Sequence, residues 1–241
     1  MVIRLDKYLC DMQAGTRSAV KDIIRKKKVT INGEVITRPE TKVDIDKDVV
    51  TIDNNVLGYS EYEYYMLNKP AGVVSAVSDK NFKTVVELIT DKKRKDLFPV
   101  GRLDKDTEGL LIITNNGDMA HRLLSPKHHI DKTYYVVAKG SIDNKYIDEF
   151  KNGLVVDKDF TAMPAKLEIL QYNNQYDTTF LNITIQEGKF HQIKRMFKAA
   201  GSEVLYLKRL SMGQLQLDET LEPGKFRLLT GSEIDLLKSW N

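Results

Sequence analysis

Apolar residues at Leu5, Leu9 and Met12 recur at i, i+4 and i+7, a spacing that predicts a short amphipathic helix ended by Gly15. Thr16 then reads as the N-cap of a second helix, with Val20, Ile23 and Ile24 facing one way. Arg17, Lys21, Arg25 and Lys28 fall at i, i+4, i+8 and i+11, and so predict a stripe of four cations on that helix. Beyond it, Val29-Thr30-Ile31 and Glu34-Val35-Ile36 flank Asn32-Gly33, the pair favoured in a type I′ turn because both central residues need positive φ. Further alternation through 42–52 closes a small module at about residue 56. Residues 54–60, which include Gly58, read as the connection onward.

From residue 62 strand patterns dominate, at 63–67, 109–114, 133–137, 165–170 and 180–185, with helical patterns at 84–89, 118–124, 142–150 and 190–200. The expected fold class is α+β: a small N-terminal α/β module (1–56), a linker (57–61) and a larger domain (62–241) on a mixed, mostly antiparallel sheet. In the last helical stretch, Phe190, Ile193, Phe197 and Ala200 supply an apolar stripe, His191, Lys194, Arg195 and Lys198 share the opposite face, and Gly201 stops the helix.

Charge changes the picture more than overall composition does. Residues 1–42 carry ten Lys/Arg against five Asp/Glu, whereas the whole chain nets only +3, so a basic end sits on a nearly neutral body. That distribution suits a polyanion, and nucleic acid more readily than a membrane, because no apolar anchoring face accompanies it. The apolar run 110–113 is far short of the ~18 residues of a membrane span, and the charged start does not resemble a secretory signal. A cytoplasmic protein is expected. One cysteine excludes an internal disulfide, and four scattered histidines do not make a zinc site.

The candidate chemistry lies in GRLDKDTEGLLIITNNGDMA, residues 101–120, where Asp104, Asp106 and Glu108 alternate ahead of an apolar strand. Acids at positions 1, 3 and 5 with glycine at 6 imitate a calcium loop. Position 12 is Asn115 rather than the required glutamate, and the preceding LLIIT is strand-like rather than helical. A glycosidase pair is weaker, since nothing in the spacing fixes a separation across a sugar.

Two resemblances go further. RLDKYL…TRSAVKDIIRKKKVTINGEVITRPETKV resembles the compact RNA-binding module shared by a small-subunit ribosomal protein and several RNA-modifying enzymes. It implies that the Arg17, Lys21, Arg25 and Lys28 stripe holds phosphates. GRLDKDTEGLLIITNNGDMAHRL, together with YYMLNKPAGVVSA, SPKHHIDKTYYV and EGKFHQIKRMF, resembles the RNA pseudouridine synthases, in particular the small-subunit ribosomal RNA branch. The resemblance implies isomerisation of a uridine in 16S rRNA with Asp104 as the nucleophile. Tyr134 would stack on the target base, Lys194 or, second, Arg195 would stand beside the aspartate, and Arg102 would contact the RNA backbone. Lys69-Pro70 would shape a loop at the cleft without a chemical role. It implies no cofactor and no metal, ribosomal RNA or a pre-ribosomal particle as partner, no membrane, and a monomer. The alternatives are a large-subunit (23S) rRNA site or a non-catalytic RNA-binding assembly factor.

Overall fold

The computed structural model describes residues 1–239, and the chain divides into two compact units: Met1–Glu63 with Thr90–Leu97, and Tyr64–Ile89 with the chain from Phe98 onward. In the first unit β1 (Val2–Arg4) leads into α1 (Leu5–Asp11) and α2 (Arg17–Arg25), followed by β2 (Val29–Ile31), β3 (Glu34–Ile36), β4 (Lys42–Asp44), β5 (Val50–Ile52) and β6 (Asn55–Val56). β1 pairs with β4, and a second sheet runs β3-β2-β5-β6. The Thr16 hydroxyl accepts from the Ala19 amide at 3.3 Å, satisfying one of the orphan donors of α2. Asn32 and Gly33 take φ of 53° and 87°, as the tight turn requires. Leu5, Leu9, Val20, Ile24, Val29, Val43 and Val50 are fully buried in one core.

The boundary differs from the one the composition suggests. Residues 57–61 do not form a free linker: the Leu57 amide bonds to Val50, the Tyr8 hydroxyl to the Leu57 carbonyl, and Tyr59 to Asp11 at 2.9 Å. Leu57 and Tyr59 pack on the first unit's core, so their apolar surface outweighs the loop-like Asn, Gly and Ser around them. Residues 90–97, which lie in the expected larger domain by sequence, also belong to this unit.

The second unit contains β7 (Tyr64–Lys69), β8 (Phe98–Pro99), β9 (Glu108–Thr114), α3 (Gly117–Leu124), β10 (Lys132–Lys139), α4 (Asn144–Lys151), β11 (Val155–Asp157) and β12 (Phe160–Thr161). It continues with β13 (Lys166–Asn173), β14 (Thr178–Ile185), α5 (Gln192–Ala199), β15 (Val204–Met212), β16 (Leu215–Gln216), β17 (Phe226–Leu228) and α6 (Gly231–Lys238). The main sheet runs β13-β14-β10-β15-β9-β7-β17, antiparallel except for β9 against β15, with β8 on β9 and β16 on β15. The α+β class with a mixed, mostly antiparallel sheet is therefore what forms.

The helical pattern at 84–89 is not realised; Thr84 instead makes an isolated bridge to Val74 and the segment continues as turns. Its four β-branched residues lower helix propensity, and six residues cannot repay a helix nucleus. Val85 and Ile89 are still fully buried, so the apolar spacing reported burial rather than helix.

β9 is central. Its near-continuous apolar run is buried on both faces, as a covered strand must be. Leu110 and Ile112 join Met66, Met119, Leu123 and Leu237 in one core cluster. Where β9 begins, Gly109 lies opposite Arg209 of β15, with φ of 101°, and a Cβ there would stand 2.2 Å from the Arg209 carbonyl oxygen. Both strands are backbone at that point, so neither side yields cheaply. Gly109→Ala is expected to cost roughly 2–4 kcal/mol through the clash and the disfavoured φ. Urea unfolding of parent and variant checks this; an unchanged midpoint would mean that β9 and β15 part there without cost.

Candidate active site

Asp104 and Asp106 sit on the turn that feeds β9, and Glu108 is the strand's first residue. The Thr107 amide closes the turn on the Asp104 carbonyl at 3.1 Å. Beneath it lies Lys69, the last residue of β7 and fully buried, whose Nζ donates to the carbonyls of Pro70 (3.0 Å), Lys105 (3.2 Å) and Thr107 (2.8 Å). An ammonium has three N–H groups and no acceptor, so this site uses all of them. Burial pushes the Lys69 amine down to about 8, with the carboxylates of Asp106, Glu108 and Asp104 opposing the shift. The loop after β7 adds more: the Gly72 amide donates to Lys105, and the Ser75 hydroxyl both donates to the Leu103 carbonyl (2.8 Å) and accepts from its amide (3.0 Å).

The three acids have different surroundings. Glu108 accepts from the Tyr206 hydroxyl at 2.7 Å, and burial together with that bond pushes Tyr206 above the usual phenol range. Asp106 is mostly exposed and bonded to Lys194 Nζ at 2.5 Å, which holds its carboxyl below the usual range. Asp104 lies only one quarter exposed in a cleft that Tyr134, Ile185, Ile193 and Leu207 also line. Lys194 Nζ stands 3.2 Å from Asp104 Oδ2, and His191 Nε2 stands 3.8 Å from Oδ1.

α5 explains why Lys194 rather than its neighbour faces Asp104. Gln192, Ile193, Met196 and Phe197 form its buried side, and Lys194 emerges toward the motif turn. Arg195 points elsewhere, to Asp157 at 2.5 Å and over the Phe160 ring. The apolar stripe differs from the expected one, because Phe190 precedes the helix, is 73% exposed, and stacks on the His191 ring at 3.8 Å. His191 takes a left-handed φ of 49° as the N-cap of α5, which ends the extended chain before it can place Phe190 in the core.

Tyr134, on β10 between β14 and β15, is 8% exposed and faces the cleft. Arg102 is exposed at the cleft edge, and among the described residues no acid pairs with it. In the first unit the stripe is shorter than its spacing suggests. α2 stops at Arg25 and Lys27 adopts φ of 61°, so Lys28 leaves the helix and pairs with Asp53 at 3.1 Å. Arg25 lies 3.8 Å from Asp22, whereas Arg17 and Lys21 stand exposed without an ion pair among the described residues. Ser75 is a neighbour that periodicity could not reveal, since it reaches the motif turn from a distant segment. No group of three metal-ligating side chains gathers among the described residues.

A carboxylate flanked by a lysine, in a cleft lined by an aromatic ring together with polar and apolar side chains, can attack or deprotonate a flat, polar substrate. Comparison with known proteins gives this chemistry a context. The family model for RNA pseudouridylate synthase matches residues 63–199, and that for the S4 domain matches residues 3–50. The chain is 45% identical over 236 residues to an uncharacterized RNA pseudouridine synthase of Bacillus subtilis, covering 98% of each. It is 41% identical over 240 residues to ribosomal small subunit pseudouridine synthase A of Vibrio parahaemolyticus, covering 99% of this chain and 100% of that one. A crystal structure of a pseudouridylate synthase superposes with a TM-score of 0.67 at 38% identity, covering 98% of this chain and 99% of that one.

Lys69 generates a pH prediction. Below about 8 the folded protein holds a buried ammonium; between there and the ordinary lysine value near 10.5 the folded amine is neutral while the unfolded one is still charged. The unfolded state then binds more protons, so the stability difference between the parent and Lys69→Met should shift in the parent's favour as pH rises from 7.5 to 10. Paired urea titrations across that range measure it, and a flat difference would show that Lys69 is not buried as a cation.

Proposed function

The chain belongs to the RNA pseudouridylate synthase family and carries an S4 domain, and on that premise we propose that it converts one uridine of small-subunit ribosomal RNA to pseudouridine with Asp104 as the nucleophile. One observation carries the residue assignment: of the three motif acids, Asp104 alone lies in the cleft that Tyr134 also lines, beside Lys194, while Glu108 is engaged by Tyr206 and Asp106 faces outward. The 41% identity to a small-subunit synthase supports the substrate; a uridine of the large-subunit rRNA is the outcome that would redirect it.

The reaction breaks N1–C1′, turns the uracil and joins C5 to C1′, with no net redox change. Addition of the carboxylate to C1′, addition to C6, and deprotonation of the sugar on the way to a glycal all start from ionised Asp104. Lys194 keeps that charge favourable as the cleft closes over a base and water leaves. A base drawn out of its stack needs a new face, and Tyr134, at the cleft wall, supplies one; its hydroxyl would help remove the C5 proton once the ring has turned. Arg102, exposed at the rim and without an ion pair among the described residues, takes a backbone phosphate near the flipped nucleotide. The first unit holds the RNA by its phosphates through Arg17 and Lys21. The reaction needs no cofactor, and we place it on rRNA or a pre-ribosomal particle in the cytoplasm, carried out by a monomer.

Asp104→Asn keeps side-chain size and removes the nucleophile, so tritium release from C5-labelled rRNA should fall below detection while RNA affinity is retained. Appreciable release by this variant would sink the assignment. Glu108→Gln should keep measurable turnover. Asp106→Asn should lose about ten- to a hundredfold, because it releases Lys194 from one of its two carboxylates and lets it re-seat against Asp104, and displacements of ~1 Å can cost about 100-fold. Tyr134→Phe keeps the stacking face and Tyr134→Ala loses it, so the Phe variant should retain RNA affinity that the Ala variant loses. If both turn over like the parent, Tyr134 is only a core residue. Mapping pseudouridines in both rRNAs of a deletion strain identifies the target.

A further inference from the structure

Residues 90–97 lie inside the span matched by the pseudouridylate synthase model, yet they fold as part of the first unit, where they are held from several sides. Gln13 Nε2 donates to the Lys92 carbonyl at 2.9 Å, and the Glu63 carboxylate accepts from the backbone amides of Lys93 and Arg94. Arg94 is 6% exposed, forks onto Asp96 through Nε and Nη2, and places Nη1 3.2 Å from Asp11. The Tyr59 hydroxyl donates to the same Asp11 carboxylate, and Leu97 is fully buried. A segment reading Asp91-Lys92-Lys93-Arg94-Lys95-Asp96 would pass in sequence for a solvated charged loop. Its backbone and its one inward-turned arginine are tied down instead.

That anchoring aims Lys95 into a groove shared with α1 and the start of α2. Five cations and two carboxylates line it. Both carboxylates are already engaged, Asp6 by Arg4 at 2.8 Å and Asp11 by Lys7 and Arg94. Arg17, Lys21 and Lys95 remain, all exposed and none ion-paired among the described residues. Three like charges converging on one groove repel one another, and rigid anchoring of the segment that brings in the third prevents it from swinging away. A polyanion relieves that repulsion by replacing its counterions.

We infer that residues 90–97 complete the RNA groove of the S4 unit, with Lys95 contacting a backbone phosphate next to those held by Arg17 and Lys21, and Arg94 as the positioning residue that sets Lys95 there. The inference rests on the RNA-binding reading above and adds to it a contact that lies outside residues 3–50, the span of the S4 match. It also means that part of the chain counted with the catalytic half by sequence serves substrate binding on the other unit.

The test uses the full chain and small-subunit rRNA transcribed in vitro, with affinity measured from 50 to 200 mM salt. Loss of one phosphate contact in Lys95→Ala should reduce the log–log salt slope by about 0.7–0.9, so that the fall in affinity across this range becomes about threefold smaller. Lys95→Glu should weaken binding further. Lys93→Ala removes the same charge from an exposed neighbour outside the groove, and its slope should match the parent's. Arg94→Gln should give the Lys95→Ala slope with an unchanged circular dichroism spectrum; if it unfolds, the Lys95 and Lys93 variants still decide. A Lys95→Ala slope equal to the parent's, or an equal reduction in Lys93→Ala, overturns the inference while leaving the RNA reading intact. A parent that does not bind rRNA removes that reading itself.

Discussion

A single buried ammonium sets the geometry of the active site. Removing a charge from water costs several kcal/mol unless hydrogen bonds and opposite charges offset it, and Lys69 has both: three backbone carbonyls at bonding distance, and the fields of Asp104, Asp106 and Glu108. Because two of those carbonyls belong to Lys105 and Thr107, the lysine that ends β7 dictates the path of the turn that enters β9. All three of its N–H groups are used in this arrangement, and the position of Asp104 depends on it. The same turn is fixed from the other side where Gly109 lets the backbone of β15 approach too closely for any side chain.

With the turn held, the three carboxylates separate into different roles despite their even spacing. Alternate residues of an extended segment would point the same way, but Asp104 and Asp106 lie on a turn and only Glu108 lies in the strand. Glu108 is consequently drawn to Tyr206 on the neighbouring strand, and Asp106 faces solvent. Lys194 bridges Asp104 and Asp106, so it couples the acid in the cleft to one that does not line it. A lysine, with one compact charge and rotatable donors, can serve both partners; Arg195, with its planar fork, is committed to Asp157 and the Phe160 ring.

Binding and chemistry are distributed over two units whose boundary does not follow chain order. The S4 unit recruits residues 57–63 and 90–97, and the latter return to it after the chain has already laid down the first strand of the catalytic sheet. Phosphate contacts position an RNA without reading its sequence, which suits a unit whose groove gathers Arg17, Lys21 and Lys95, none of them ion-paired among the described residues.

What the sequence determined by itself was set by local chemistry. Thr16 as a cap, Asn32-Gly33 as a turn and the covered strand at 109–114 each follow from forces acting within a few residues, and the motif around Asp104 was legible through its resemblance to a family. What only the tertiary structure decided depends on partners distant in the chain. Phe190 carries the apolar signature of a core residue but lies exposed against His191, because the helix begins after it. Lys28 continues the cationic spacing but follows the helix end, where Lys27 turns the backbone. Residues 84–89 are buried without being helical, since burial and periodicity agree only when a segment is long enough to repay nucleation. Lys69 and Arg94 are both charged and both buried. Only the fold could bring carbonyls to one and carboxylates to the other, and without those partners neither charge could leave water.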